Sequence, residues 1–438
     1  MSLMPSLPTS TLPAPGTPDT HVHTLPNGVR VLTLVLPHLH SASVSVFVRA
    51  GSRDETPRQN GISHVVEHMA FKGTTARDCQ RINLDAELLG ADVNAHTDKD
   101  HTAFHMRGLA RDAGAFIRML GDIVLHGSFP EAELERERQV ILQELLEDED
   151  DALSAAFRLF DQTCFGKHAL AQPVIGQRRN IERFTRDDLQ AFVRRHYVGA
   201  NTVVAVAGPV DPQAMAQAAE AAFGAMPAGM PAVLAAPGWH GGIATRRHAG
   251  SSQTHVVLGW PTPTLLQAPA AAVLAATLLG EGMSSPLLDQ VRERQALVYH
   301  ASCSVDLSDL AGQFVIEAST TPEHLPAFVE TVTRLLREQA GAIDPLHLQR
   351  ARQQLRVRGL QRFERPGRRL ENAALDLYSF GRVRSREEWQ TQLDAVDAEA
   401  VQQEFARLLG QPAALAIAGK VPAGTRERAS EWLAQLGG

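Results

Sequence analysis

The chain has 438 residues, 44% of them hydrophobic, a formal net charge of −7 and three scattered cysteines. That length suits two domains of ordinary size, each with a substantial core. The net acidity argues against a dedicated nucleic-acid binder or a protein held on anionic membranes, and three cysteines without Cys-x-x-Cys spacing argue against a disulfide framework.

Residues 1–18 are rich in Pro, Thr and Ser, with no Lys or Arg before Arg30 and no apolar signal core, so they read as a disordered tail. The longest nearly apolar run, near Ala268–Gly280, is too short to span a bilayer, and the cytoplasm is the expected compartment. Residues 20–36 predict a hairpin about Asn27-Gly28, the strongest short turn signal. The alternation of Val44, Val46 and Val48 with Ser43, Ser45 and Phe47 predicts a strand, and Gly51 to Gly61 a polar loop.

A helix carrying His64-Val65-Val66-Glu67-His68 follows. Two histidines four apart lie one turn apart on one face and can reach one Zn²⁺, while Glu67 can touch a bound water without being a ligand. The order His-x-x-Glu-His is the inverzincin signature, the reverse of His-Glu-x-x-His. In a chain with 18 histidines the pentapeptide by itself also fits a solvated polar helix face.

Residues 80–90 predict a helix, 91–108 two short strands with a turn near Asp98–Asp100, and 110–126 another helix. Phe129-Pro130 opens a long helix with Pro where its missing N–H is harmless. On it Glu137 and Glu144 are seven apart on one face, close to the stripe of Val140, Ile141 and Leu145. A half-buried, unpaired Glu144 would be costly, and a metal would relieve that cost. The acids at Glu133, Glu135 and 147–151 fit a solvated face.

Further helices run to about Tyr197, residues 202–208 form a buried strand, and a helix covers about 211–224. Residues 227–246, rich in Pro, Gly and Ala, read as a linker. The second half replays the first: a strand at 255–260, an apolar helix Ala270–Leu279 without histidine, and a closing strand at 413–419 that echoes 202–208. The fold class is α+β, with two homologous domains, each a mostly antiparallel sheet packed with helices. The expected boundaries are 19–226 for the metal-bearing domain and 247–438 for the inactive one.

These residues resemble the pitrilysin family of zinc peptidases, in the short-subunit branch with the mitochondrial processing peptidase subunits. Gly61 to Thr74 is similar to the family's metal helix, and Glu137 to Glu144 to its second metal helix. Asn94-Ala95-His96-Thr97 is similar to its substrate-binding edge strand, and Met283-Ser284-Ser285 with Arg292 to Tyr299 to its second-half motif. Ala296 stands where the family usually has Gly, and a small local change is expected there.

The resemblance implies one Zn²⁺ per chain on His64, His68 and Glu144, with Glu67 as general base and Glu137 supporting a ligand or the proton traffic. It implies an extended peptide added to Asn94–Thr97 as a strand, and Arg292 and Tyr299 reaching the substrate from the facing domain. The implied function is a zinc endopeptidase acting on peptides or unfolded segments in a chamber formed by a dimer. That dimer is a homodimer, since the chain holds both motifs, or a heterodimer with a metal-free paralogue. The alternatives are a non-catalytic scaffold, a subunit of a heterodimeric processing peptidase, and another metal-dependent hydrolysis on the same ligands. His96, His101 and His105 raise the question of a second metal site, but no carboxylate or cysteine has matching spacing, so they read as variable strand positions. The arginines between Arg350 and Arg369 read as the solvated, salt-bridged face of one long helix.

Overall fold

The structure is a computed structural model describing residues 20–231 and 233–436, so the tail expected at 1–18 lies outside the described residues. Strand β1 (Thr20–Thr24) and β2 (Arg30–Val35) form the opening hairpin, turning at Gly28 with φ +90°. There follow β3 (Ser41–Val48), α1 (Ile62–Ala70), α2 (Cys79–Leu88), β4 (Asp92–Thr97), β5 (Thr102–Leu109), α3 (Ala113–Leu125), α4 (Glu131–Asp150) and α5 (Ala152–Phe165). The short α6 (Arg178–Ile181), α7 (Arg186–His196), β6 (Thr202–Gly208) and α8 (Pro212–Phe223) complete the first half.

The second half runs β7 (Gly242–Arg247), β8 (Thr254–Thr262), α9 (Ala270–Gly280), α10 (Pro286–Leu288), a π-helical turn Asp289–Arg294, β9 (Val298–Leu307) and β10 (Gly312–Thr320). It ends with α11 (Leu325–Gly341), α12 (Pro345–Glu364), α13 (Pro366–Phe380), α14 (Arg386–Asp394), α15 (Ala398–Leu409), β11 (Ala414–Gly419) and α16 (Thr425–Leu436).

The first sheet has the order β1-β2-β6-β3-β5-β4 and the second β7-β11-β8-β10-β9. In both, one parallel pair (β2 with β6, β7 with β11) adjoins a run of antiparallel strands. The second sheet repeats the first without its opening strand, so β9 takes the edge that β4 takes in the first. The two halves are versions of one α+β unit, as their strand patterns imply.

One face of the first sheet packs Val44, Val46, Phe104 and Met106 against α1, α3 and α4. Its other face, through Leu34, Phe47, Val203 and Ala205, is covered by Leu370, Ala373, Ala374 and Leu377 of α13, a helix from the second half. The converse holds for α5, whose Ala155, Ala156 and Phe160 lie on Val257, Val315 and Ala416 of the second sheet. Each half thus lends a helix to the other, and burial at roughly 1.5–3 kcal/mol per large apolar side chain resists their separation.

Three expectations need correction. The stretch expected as a linker contains β7, because residues 242–247 pair with β11 over its full length. The arginine-rich stretch is two helices, broken at Arg365-Pro366, because Pro lacks the N–H and disfavours helical geometry in the residue before it. Two of its arginines are half-buried and bonded to backbone: Arg350 donates to the carbonyls of Leu278 and Glu281, and Arg352 to that of Val396. The polar loop at 51–61 is largely buried, with Arg53, Glu55 and Asn60 inside.

Candidate metal centre

Helix α1 buries Ile62, Val65, Val66 and Met69, an i, i+3, i+4, i+7 stripe, and so presents His64, Glu67 and His68 on the opposite side. Its start is fixed by Gly61, at φ +101°, where an added Cβ would come within 2.8 Å of the Gly176 backbone. The carboxylate of the buried Glu55 accepts hydrogen bonds from the Gly61 and Ser63 amides, each at 2.8 Å, and from Asn60 Nδ2 at 2.9 Å. It serves as the cap that Gly61 lacks, satisfying amides at the helix start. Burial pushes the Glu55 carboxyl up to about 7, against the pull of those donors.

His64 Nε2 and His68 Nε2 lie 3.2 Å apart, and Glu144 Oε2 stands 3.7 and 3.5 Å from them. A tetrahedral ion with ligands at roughly 2.0–2.1 Å holds its donor atoms roughly 3.3–3.4 Å apart, so this triangle has the size of one face of a zinc tetrahedron. Two imidazoles and a carboxylate are also a zinc-type donor set. Burial and the neighbouring His68 push His64 down to about 4, which leaves its ring neutral with a lone pair to give. The donor set and its dimensions fit the ion.

The supports come from the turn after α1, from α4 and from β4. His68 Nδ1 lies 3.1 Å from Glu137 Oε2, and Lys72 Nζ 2.8 Å from Glu137 Oε1. The chain Lys72–Glu137–His68 holds the imidazole with Nε2 toward the triangle, as a carboxylate behind a metal-ligating histidine does. Glu137 is buried on the same stripe of α4 as Leu134 and Ile141, whereas Glu144 is 41% exposed. Glu67 accepts a 2.7 Å hydrogen bond from Thr97 Oγ1 of β4. Burial raises the Glu67 carboxyl from its ordinary value, and the Thr97 bond opposes that shift.

β4 is the outermost strand of its sheet, and among the described residues no strand pairs with its free side. Its residues divide by face: Ala95 packs toward the α1 core and Thr97 reaches Glu67, while His96 points toward α13, 3.6 Å from Glu371 Oε1. Asn94 is exposed. Arg292 lies in the π-helical turn, 3.5 Å from Met283 Sδ, and Tyr299 on β9 is 80% exposed. Among the described residues neither bonds to the His64–His68–Glu144 group. Ala296 between them has φ +50°, the left-handed conformation that glycine takes freely.

Sequence reasoning passed over Glu55 and Lys72. Lys72 follows His68 by four residues, a spacing that places it one turn on, but its partner Glu137 is 65 residues away. The spacing argument against a carboxylate near His96 and His101 also fails, because Asp98 turns into their company: one ligand atom from each of the three lies within 4.8 Å of the others. His101 is moreover fully buried and lies in the β4–β5 turn rather than on a strand.

A fold of two like halves and a two-histidine, one-carboxylate triangle define the class, and comparison with known proteins agrees. Residues 30–178 match the family model "Insulinase (Peptidase family M16)" and residues 183–355 match "Peptidase M16 inactive domain". A protein of Mycobacterium tuberculosis named an uncharacterized zinc protease is 32% identical over 409 residues, covering 90% of this chain and 92% of that one. One of Bacillus subtilis, also named an uncharacterized zinc protease, is 27% identical over 398 residues, covering 90% and 97%. The fold is shared with a structure described as a peptidase M16 inactive domain from Pseudomonas fluorescens, at TM-score 0.84 and 21% identity over 92% of this chain and 99% of that chain. It is shared also with a protease from Helicobacter pylori, at TM-score 0.84 and 21% identity over 92% and 100%. The chain belongs to the M16 family of insulinase- and pitrilysin-type peptidases, and its relatives are named zinc proteases. Among the described residues no helix is long and apolar enough to cross a membrane.

Proposed function

We propose that this protein is a zinc endopeptidase that hydrolyses peptides or unfolded polypeptide segments. The observation that carries the reading is the His64–His68–Glu144 triangle with Glu67 held beside it by Thr97. Zinc, when bound there, polarises the substrate carbonyl and lowers the pKa of water.

The chain's own residues do the rest. Glu67 accepts a proton from the attacking water and returns it to the leaving amine. Thr97 holds one carboxylate oxygen of Glu67 and leaves the other for that traffic. The free side of β4 offers its backbone to an extended segment, and main-chain pairing favours loose sequence preference. Arg292 and Tyr299 bind substrate carbonyls from the second half, and their exposure leaves them available for that contact. With the His64–His68–Glu144 triangle in the first half and, among the described residues, an edge strand without a partner in each half (β4 and β9), two chains complete the chamber, and the presence of both motifs in one chain supports a homodimer. The scaffold alternative is disfavoured because every ligand and the base are retained.

Glu67→Gln tests the base. The variant is expected to keep zinc while peptide cleavage falls by roughly 10²–10⁴-fold. Cleavage that persists in the zinc-loaded variant overturns the role of Glu67, and a zinc-loaded parent that cleaves no peptide overturns the peptidase reading.

A further inference from the structure

We propose that His96, Asp98 and His101 form a second site for a zinc-class divalent cation, on the α13 side of the first sheet. The three residues straddle the β4–β5 turn and bring one ligand atom each within 4.8 Å of the others. Asp98 Oδ2 is 3.2 Å from His101 Nδ1, and the rings of His96 and His101 are 5.4 Å apart. The turn is built to hold this arrangement. Asp98 Oδ1 accepts from the amides of Asp100 and His101 at 2.7 and 2.8 Å, which leaves Oδ2 free to face the rings.

His101 supplies the independent observation. It is fully buried beside Phe47, and among the described residues neither ring nitrogen has a hydrogen-bond partner. Its Nδ1 approaches Asp98 without bonding geometry. A buried imidazole left in that condition is costly, and a cation accepting a ring lone pair removes the cost. Ordinary pairing accounts for His96, which meets Glu371 at 3.6 Å and His105 Nε2 at 3.0 Å, but it gives His101 only the 3.2 Å approach of Nδ1 to Asp98 and, among the described residues, leaves Nε2 without a partner.

Two imidazoles with a carboxylate suit zinc and its neighbours and not Mg²⁺ or Ca²⁺, which take oxygen cages. Glu371 of α13 brings a second carboxylate beside His96, so the ion would sit where the edge hairpin of one half meets a helix of the other. The Asp98 and Lys99 carbonyls also accept from the Ser52 and Arg53 amides, so an ion here would fix the turn that ends the edge strand.

The test separates this site from the His64–His68–Glu144 site by zinc content. His64→Gln/His68→Gln protein, shown folded by circular dichroism, is dialysed against buffered Zn²⁺ and its metal measured by mass spectrometry. About one zinc per chain is expected to remain, and adding either His96→Asn or Asp98→Asn is expected to remove it. The Asn at 98 keeps an oxygen for the turn, so that variant stays folded. In the chain with residues 64 and 68 intact, the same two substitutions are expected to lower zinc content from about two to about one. A folded His64→Gln/His68→Gln protein that binds no zinc overturns the proposal. So does zinc that survives both added substitutions, which would place the ion elsewhere.

Discussion

Thr97 and Glu67 are joined by a 2.7 Å hydrogen bond, hydroxyl to carboxylate, so the last residue of the edge strand holds the acid that lies between the two histidines. The strand proposed to offer its backbone to substrate is therefore coupled directly to the proposed base.

Thr97→Val removes that donor at nearly constant volume. Losing a hydrogen bond to a charged group costs about 1.5–3 kcal/mol, so kcat is expected to fall about 10–100-fold. KM should change little, because β4 keeps its backbone pairing with β5. Thr97→Ser should restore most of the rate. A steady-state comparison of the three proteins checks this, and a loss confined to KM would assign Thr97 to substrate contact.

Lys72 holds Glu137 in place behind His68. Lys72→Met and Glu137→Gln are each expected to weaken zinc binding about 10–100-fold, the usual consequence of losing a partner behind a metal ligand. Chelator competition measures this, and unchanged affinity in both variants would leave the chain from Lys72 to His68 without function.

Ala296 sits at φ +50°. A left-handed Ala costs about 1–2 kcal/mol, and part of the relief in a Gly is lost to its freer unfolded chain. Ala296→Gly is expected to stabilise the protein by about 0.5–1 kcal/mol, read as a raised midpoint of denaturant unfolding. A lowered midpoint would show that the strain is relieved locally.

Glu55 predicts a dependence on pH. Its carboxyl is raised from 4.5 to about 7 in the folded protein, so between those values the folded chain holds more of the proton than the unfolded chain does. Its contribution to stability falls as pH rises through that window, by at most about 3 kcal/mol. Glu55→Gln places an amide among donor groups, fraying α1 at its start, and is expected to flatten the slope while lowering stability near pH 7. Unfolding midpoints from pH 4.5 to 7.5 in both proteins decide it, and an unchanged slope would remove Glu55 as its source.

What could be read in the sequence was local. The His64–His68 spacing is a property of one helix, and so is the alternation that marks β3. Glu144 could be suspected from its half-buried stripe but was fixed as a ligand only by resemblance. Glu55, Lys72 and Asp98 act through partners brought in by tertiary packing, and spacing carries no trace of that. The exchange of α5 and α13 was hidden for a related reason: an amphipathic helix declares that it will be buried, not which sheet will bury it. β7 escaped because it pairs on one side only, and its residues are partly or fully exposed, so it lacks the apolar signature of a strand. The break at Arg365-Pro366 is different, since the proline was in plain view and the continuous run of arginines outweighed it.

The most direct measurement is anomalous X-ray diffraction at the zinc edge from zinc-loaded crystals. The account predicts a strong peak within bonding distance of His64 Nε2, His68 Nε2 and one carboxylate oxygen of Glu144. A fully loaded crystal with no peak there, or a peak contacting the histidines with Glu144 turned away, would contradict it.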